Sequence, residues 1–142
     1  MTTNTGSARY EGLGKNGRGH VSTGSGALRE QPYGFATRFE GEPGTNPEEL
    51  IGAAHASCFT MALSFALARA GHAEGTIDTT ATITLEKQGD GFTVTRSDLV
   101  TSALVPGIGH DEFQAIAADA KANCPISKLL NAEITLDARL EN

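Results

Sequence analysis

Cys58 and Cys124 are the residues of this chain best suited to covalent chemistry. They lie 66 positions apart and are the only thiols among 142 residues. With no Cys-x-x-Cys pair, they read less well as a structural staple than as free, redox-active or catalytic thiols, although a buried, inert cysteine is a common alternative. Their surroundings differ. Cys124 stands at the cap of a helix that Pro125 opens, where free N–H groups and the helix dipole favour a thiolate, so local reasoning nominates it as the more acidic thiol. Cys58 lies in the middle of an apolar helix, where its pKa should be raised and the thiol inert unless a cation reaches it. An arginine held by a carboxylate would supply that cation, because a guanidinium is always charged and donates several hydrogen bonds. Arg38 and Glu48 are the candidates; Glu49 is expected to be occupied in capping the helix, and the plain reading of Glu48 is a favourable charge in its first turn.

Other chemistries find little support. His20, His55, His72 and His110 lack the close spacing of metal ligands, so no metal is expected. Gly12, Gly14, Gly17 and Gly19 read as turn glycines, since no strand is expected before them and no helix after them to cradle a phosphate. Ser57 lacks the glycine pattern of a hydrolase nucleophile elbow. Cys-Pro-Ile-Ser at 124–127 has the look of a monothiol redox motif, but it lies far from the early βαβ unit such a motif needs.

The elements that must position these side chains follow from pattern. Residues 20–39 carry Val21, Tyr33, Phe35 and Phe39 among turn residues, which suggests short strands and turns. Asn46-Pro47-Glu48-Glu49 starts a helix: Asn46 caps, Pro47 takes the first position and Glu49 completes a capping box. The helix should run from Pro47 to Ala70 and stop at Gly71. From Leu50 to Ala68 it is apolar or small on nearly every side, which predicts a core helix buried all round rather than a membrane span, given its His55, Ser57, Thr60 and Ser64. Alternation from Ile77 predicts a strand to Glu86, a turn at 88–91 and a returning strand. The parity change between Val94 and Leu99 predicts a bulge near 96–98. Helices are expected at 111–122 and 125–131, and a last strand at 132–140. The order is that of an α+β chain.

The length fits one domain over 1–142. A formal net charge of -6 argues against nucleic acid or an anionic membrane surface as partner and leaves a small neutral ligand or a protein. The polar, glycine-rich first twenty residues carry no secretory pattern, so a cytoplasmic location is expected.

The segment from Gly44 to Phe59, Gly-Thr-Asn-Pro-Glu-Glu-Leu-Ile-Gly-Ala-Ala-His-Ala-Ser-Cys-Phe, together with Asn-Cys-Pro-Ile-Ser at 123–127, resembles the OsmC/Ohr family, and within it the OsmC branch. The likeness extends to Val21-Ser-Thr23, Gln31-Pro-Tyr-Gly-Phe35, Thr37-Arg-Phe-Glu-Gly41 and Ala132-Glu-Ile-Thr-Leu-Asp137, most of the chain. It implies an intertwined homodimer of antiparallel sheets around long central helices, with the site at the subunit interface. It further implies a peroxidase without metal or flavin that reduces organic hydroperoxides: Cys58 as peroxidatic thiolate, Cys124 as resolving thiol, Arg38 and Glu48 as the activating pair, and an external dithiol as reductant. The Ohr branch takes its arginine from an earlier glycine-rich loop, where this chain has Asn16; Arg38 fits the OsmC pattern, and Arg18 is the alternative. A redox sensor or small-ligand binding protein using the same two thiols without efficient turnover is the second reading.

Geometry constrains the implied site. Glu48 and Cys58 are ten residues apart on one helix, about 15 Å along its axis. Either a kink intervenes, or Arg38 bridges the gap, or Glu48 of one subunit serves Cys58 of another, as a twofold dimer would allow.

Overall fold

The computed structural model describes residues 1–142, which form two compact units, Met1–Leu50 and Ile51–Asn142. In the first, an antiparallel sheet is built from β1 (Gly6–Glu11), β2 (Arg18–Thr23) and β3 (Gln31–Tyr33), followed by a short helix α1 (Phe35–Phe39). A single 3₁₀ turn, Gly14–Asn16, joins β1 to β2. Two expectations change here. A strand does precede the glycine-rich turn, hidden because every residue of Gly6–Glu11 is exposed and so shows no apolar alternation. Phe35 and Phe39, taken as strand residues, lie one helical turn apart on α1, their rings 5.0 Å between centroids. No apolar side chain of residues 1–50 is buried.

α2 (Pro47–Arg69) begins as its residues require. The Asn46 carboxamide oxygen accepts from the Glu49 N–H at 2.8 Å, meeting one of the four donors a helix start leaves open. The capping box is only half formed, because the Glu49 carboxylate takes the Thr45 hydroxyl, 2.8 Å away, as its donor. At the other end Gly71, at φ 96°, adopts the left-handed conformation. The His72 N–H reaches back to the Leu67 carbonyl and the Gly71 N–H to that of Ala68, both at 3.0 Å, which closes the helix in a Schellman motif.

The expected burial on all sides is not what α2 has within this chain. Gly52, His55, Phe59, Leu63 and Leu67 form one buried stripe, the spacing of a single helix face, while Met61 and Phe65 are each 59% exposed. The composition registers how apolar the helix is and says nothing of which molecule covers it. By length and composition α2 could cross a membrane, yet its stripe is the centre of the chain's only large core, with Leu99, Phe113 and Ala117.

The second sheet consists of β4 (Thr76–Gln88), β5 (Gly91–Leu104) and β6 (Glu133–Leu140), with β5 in the middle. β4 and β5 form the expected hairpin through Gly89-Asp90. Thr84 pairs with Arg96 and Leu85 with Val94, so Thr95 is the extra residue, one position before the expected bulge. Past it, Ser97, Leu99, Thr101 and Ala103 all face the core. β6 pairs parallel to β5, which corrects the expectation of purely antiparallel sheets. The chain between them holds α3 (His110–Asn123) and α4 (Pro125–Leu129), a crossover long enough for a parallel return. Alternation identifies a strand but carries no direction. Gly52 permits the close approach of α2 to this sheet: a Cβ there would sit 3.2 Å from the Ala81 carbonyl.

Asn46→Ala is expected to lower stability by about 1 kcal/mol, read as a lower urea midpoint with unchanged slope, whereas Asn46→Asp should retain most of it; equal midpoints for all three proteins would show that the cap contributes nothing.

Candidate active site

Each unit gathers one pair of the side chains singled out in the sequence. In the first, α1 presents Arg38 and the start of α2 presents Glu48. The Arg38 Nε donates to both Glu48 carboxylate oxygens, at 3.0 and 3.1 Å, and its terminal NH₂ group donates to Oε1 as well. Such fork-shaped pairing fixes the guanidinium plane as well as its charge. The Glu48 carboxylate is mostly shielded and the arginine about one third exposed, so the guanidinium keeps an open side. The Arg38 cation also lies 5.4 Å from the centroid of the Phe39 ring, within cation–π range. Tyr10, Tyr33, Phe35, Arg38, Phe39 and Pro47 line an apolar cavity of about 380 Å³. Arg18, the alternative, is exposed on β2.

In the second unit, Cys58 on α2 and Cys124 at the junction of α3 and α4 come together despite their separation in sequence; both thiols are free, Cys124 fully buried and Cys58 partly so. Cys58 packs against the core cluster that contains Cys124, and each thiol shifts the ionisation of the other. Burial pushes the Cys58 thiol above its ordinary range, and the bond to Cys124 and the charge of that group push the same way, against a weaker pull from the Ile126 N–H. None of these influences is a cation. Burial would raise Cys124 too, but it is outweighed by the hydrogen bond from Cys58, the N–H and hydroxyl of Ser127 and the N–H of Ile126, so the Cys124 thiol falls below its ordinary range. Within the chain, Cys124 is therefore the more acidic thiol, in agreement with the local reading of the two positions.

His55 is the residue that the sequence reading passed over. One turn before Cys58, it is fully buried, with Nδ1 2.6 Å from the Ser97 hydroxyl and Nε2 2.8 Å from that of Ser127. Considered as a metal ligand and as a polar residue unsuited to a membrane span, it gave no signal of its partners; its place in the apolar stripe with Gly52 and Phe59 demanded polar partners and could have pointed to them. Burial holds its pKa below the ordinary value of 6.5, so the imidazole is neutral at ordinary pH. No three His, Cys, Asp or Glu side chains converge as a metal site would require.

A profile of the family described as OsmC-like protein matches residues 39–139. The chain belongs to the OsmC family. It is 56% identical over 137 residues to peroxiredoxin OsmC of Escherichia coli (strain K12), an alignment covering 96% of each chain. Among solved structures, it is similar to an organic hydroperoxide resistance protein OsmC from Legionella pneumophila, with TM-score 0.74 and 25% identity over 99% of this chain and 100% of the other. A second, an organic hydroperoxide resistance protein from Elizabethkingia anophelis, gives TM-score 0.72 and 26% identity over 99% and 98%. The α+β OsmC/Ohr fold expected from the motifs is thus established, and these relatives' names are those of peroxide-handling redox proteins, in accord with the expected enzyme class.

The lowered His55 pKa has a stability consequence with a definite sign. The unfolded chain binds a proton at His55 near pH 6.5 while the folded chain does not, so stability is full above that pH and declines as pH falls toward the folded value, by at most about 1.4 kcal/mol per unit. Urea titrations above and below this pH should show that decline in the wild type and a shallower one in His55→Gln; parallel curves would remove His55 as the cause.

Proposed function

We propose that this OsmC family member is a cytoplasmic thiol peroxidase that reduces organic hydroperoxides to alcohols, working as one OsmC-like domain in a homodimer. The observation that carries the reading is the meeting of the two free thiols, Cys58 and Cys124, at one place in the core, because a sulfenic acid formed on one sulfur then has a second thiol beside it. In the proposed cycle the Cys58 thiolate attacks the distal peroxide oxygen, the O–O bond breaks, the alkoxide leaves with a proton as the alcohol, and Cys58 becomes a sulfenic acid. Cys124 then attacks that sulfur, the S–O bond breaks, and water leaves as the disulfide forms. An external dithiol reduces the disulfide by exchange, becoming oxidised itself.

Cys58 needs a cation to do this, since its own surroundings push its pKa up. Arg38, oriented by Glu48, is the group we assign to that task, in preference to the exposed Arg18. α2 is continuous from Pro47 to Arg69, which favours a subunit exchange over a kink as the way the pair reaches a thiol ten residues further along the helix. An intertwined dimer is also supported by two surfaces that water covers poorly: the Met61 and Phe65 side of α2, and the first fifty residues, which bury no apolar side chain. Alkyl or lipid hydroperoxides suit the aromatic groove beside Arg38 better than hydrogen peroxide does. A redox sensor with slow turnover is the second reading, favoured by the one observation that Cys58 is the less acidic thiol.

With tert-butyl hydroperoxide and a dithiol, Cys58→Ser is expected to abolish turnover, while Cys124→Ser consumes one equivalent and leaves a trappable sulfenic acid. A wild type indistinguishable from Cys58→Ser would sink the enzyme reading, and the reverse pattern would exchange the two roles. Arg38→Ala should lower kcat/KM about a hundredfold, equivalent to roughly 2.7 kcal/mol, and Arg18→Ala should leave it unchanged; the opposite result would reassign the cation. Sedimentation velocity should give a dimer, and a monomer with full activity would exclude the shared site.

A further inference from the structure

Cys58 and Cys124 are far apart in sequence, so the contacts between α2 and the α3–α4 junction set the distance between their sulfurs. His55 and Ser127 stand where such a contact matters. His55 lies three residues before Cys58 on α2, about 4.5 Å along the axis, and Ser127 lies three residues after Cys124, within α4. His55 Nε2 and the Ser127 hydroxyl are 2.8 Å apart, so a hydrogen bond joins positions one turn from each cysteine. On its other side the ring is tied to the second sheet, with Nδ1 2.6 Å from the Ser97 hydroxyl of β5. Both His55 and Ser97 are fully buried, so no water stands ready to replace either partner. α4 needs a fastening of this kind. It has five residues, none of them fully buried, and a helix so short is not stable alone. Ile126 packs against the core, but an apolar contact can slide, whereas a directed bond to a ring anchored on a second element defines a position along the helix. A disulfide demands that definition, because its Cβ atoms must come within roughly 3.5 to 4.5 Å of one another.

We propose that His55, anchored on Ser97, is a positioning residue that latches α4 to α2 through Ser127 and so holds Cys124 at bonding distance from Cys58. The latch rests on the proposed disulfide between those thiols. In the closure it serves, the Cys124 sulfur bonds to the Cys58 sulfenic sulfur as the S–O bond breaks, and the departing hydroxyl takes the Cys124 proton and leaves as water. Cys124 is oxidised and the sulfenic sulfur reduced, both to the disulfide level. His55, Ser97 and Ser127 exchange neither protons nor electrons in that step. Their contribution is orientation, which raises the effective concentration of one thiol at the other.

The test is an equilibration of wild type, Ser127→Ala and Ser127→Thr with reduced and oxidised glutathione, at a pH where both thiols are protonated, followed by alkylation and measurement of the intramolecular disulfide by mass. One oxidised glutathione yields two reduced molecules for each Cys58–Cys124 bond formed, so the exchange constant reads the effective concentration. Ser127→Ala is expected to lower that constant about tenfold, a reduction potential higher by about 30 mV. Ser127→Thr, which keeps the hydroxyl, should restore it. After one equivalent of tert-butyl hydroperoxide, disulfide closure in Ser127→Ala should slow about tenfold relative to sulfenic acid formation. His55→Asn, whose shorter amide can replace Nδ1 toward Ser97 but falls short of Ser127, should match Ser127→Ala in both measurements. Keeping the thiols protonated separates position from acidity, since a changed thiol pKa does not move the constant there. A role confined to general stability would lower the melting temperature and leave the constant where it was. Equal constants for wild type, Ser127→Ala and Ser127→Thr overturn the latch, and this comparison decides even if His55→Asn does not fold, since Ser127 is only half-buried. A wild type that forms the disulfide but does not turn over hydroperoxide refutes the peroxidase reading alone, and one that forms no intramolecular disulfide in the glutathione buffer overturns the disulfide and the latch together.

Discussion

A helix of six turns with almost no charge has to be covered by something, and in this chain it is covered along one stripe. Phe59, Leu63 and Leu67 of α2 pack with Leu99, Ala103, Phe113 and Ala117 into the continuous core. Each fully buried aromatic or leucine side chain there contributes about 2 to 3 kcal/mol of transfer free energy, and the stripe fixes the rotation of α2 about its own axis. That rotation determines where Cys58 and His55 point. A hydroxyl chain reinforces it: Thr60, which donates to the Ala56 carbonyl, accepts from the Thr79 hydroxyl 2.7 Å away, and Thr79 lies 2.8 Å from Thr101, so α2, β4 and β5 are tied by hydrogen bonds as well as by apolar contact. The thiol pair is positioned from the other side by the break between α3 and α4, where Cys124 ends one helix and precedes Pro125 of the next.

What sequence could reveal divides along physical lines. Signals that are local were legible: the Asn46 cap, the Gly71 stop, the Gly89-Asp90 turn, the change of parity that Thr95 causes, and the helical spacing of Phe113, Ala117 and Ala120. The acidity order of the two thiols was legible as well, because it depends on Cys124 preceding a helix start and on Cys58 lying within an apolar helix. Signals that depend on a neighbour were not. The parallel pairing of β6 leaves no trace in its alternation, and the exposure of Met61 and Phe65 cannot be told from burial in a run where every residue is apolar. The hydrogen bonds of His55 were hidden for the same reason, since its partners Ser97 and Ser127 lie 42 and 72 positions away. β1 was missed because an exposed strand has no apolar face to display.

The two pairs also differ in what they ask of their surroundings. Arg38 and Glu48 satisfy one another's charge, and the guanidinium keeps contact with solvent while the carboxylate is mostly shielded. The thiols have no such compensation. Cys124 is enclosed, and no cation is among the groups that bear on it. The guanidinium keeps an open side and the sulfur of Cys124 is kept dry.

The extra residue in β5 determines where this protein tolerates a change of length. Strand side chains alternate with a period of two, and Thr95 marks the point at which the alternation is reset. A residue gained or lost between Gly91 and Val94 alters only the hairpin end, where Phe92 already stands largely exposed. The same change beyond Arg96 would turn Ser97 and Leu99 outward together and would take the hydroxyl partner of His55 with them. Insertions and deletions can therefore accumulate at the tip of the hairpin, while the stretch facing the core and His55 is held to a fixed count of residues.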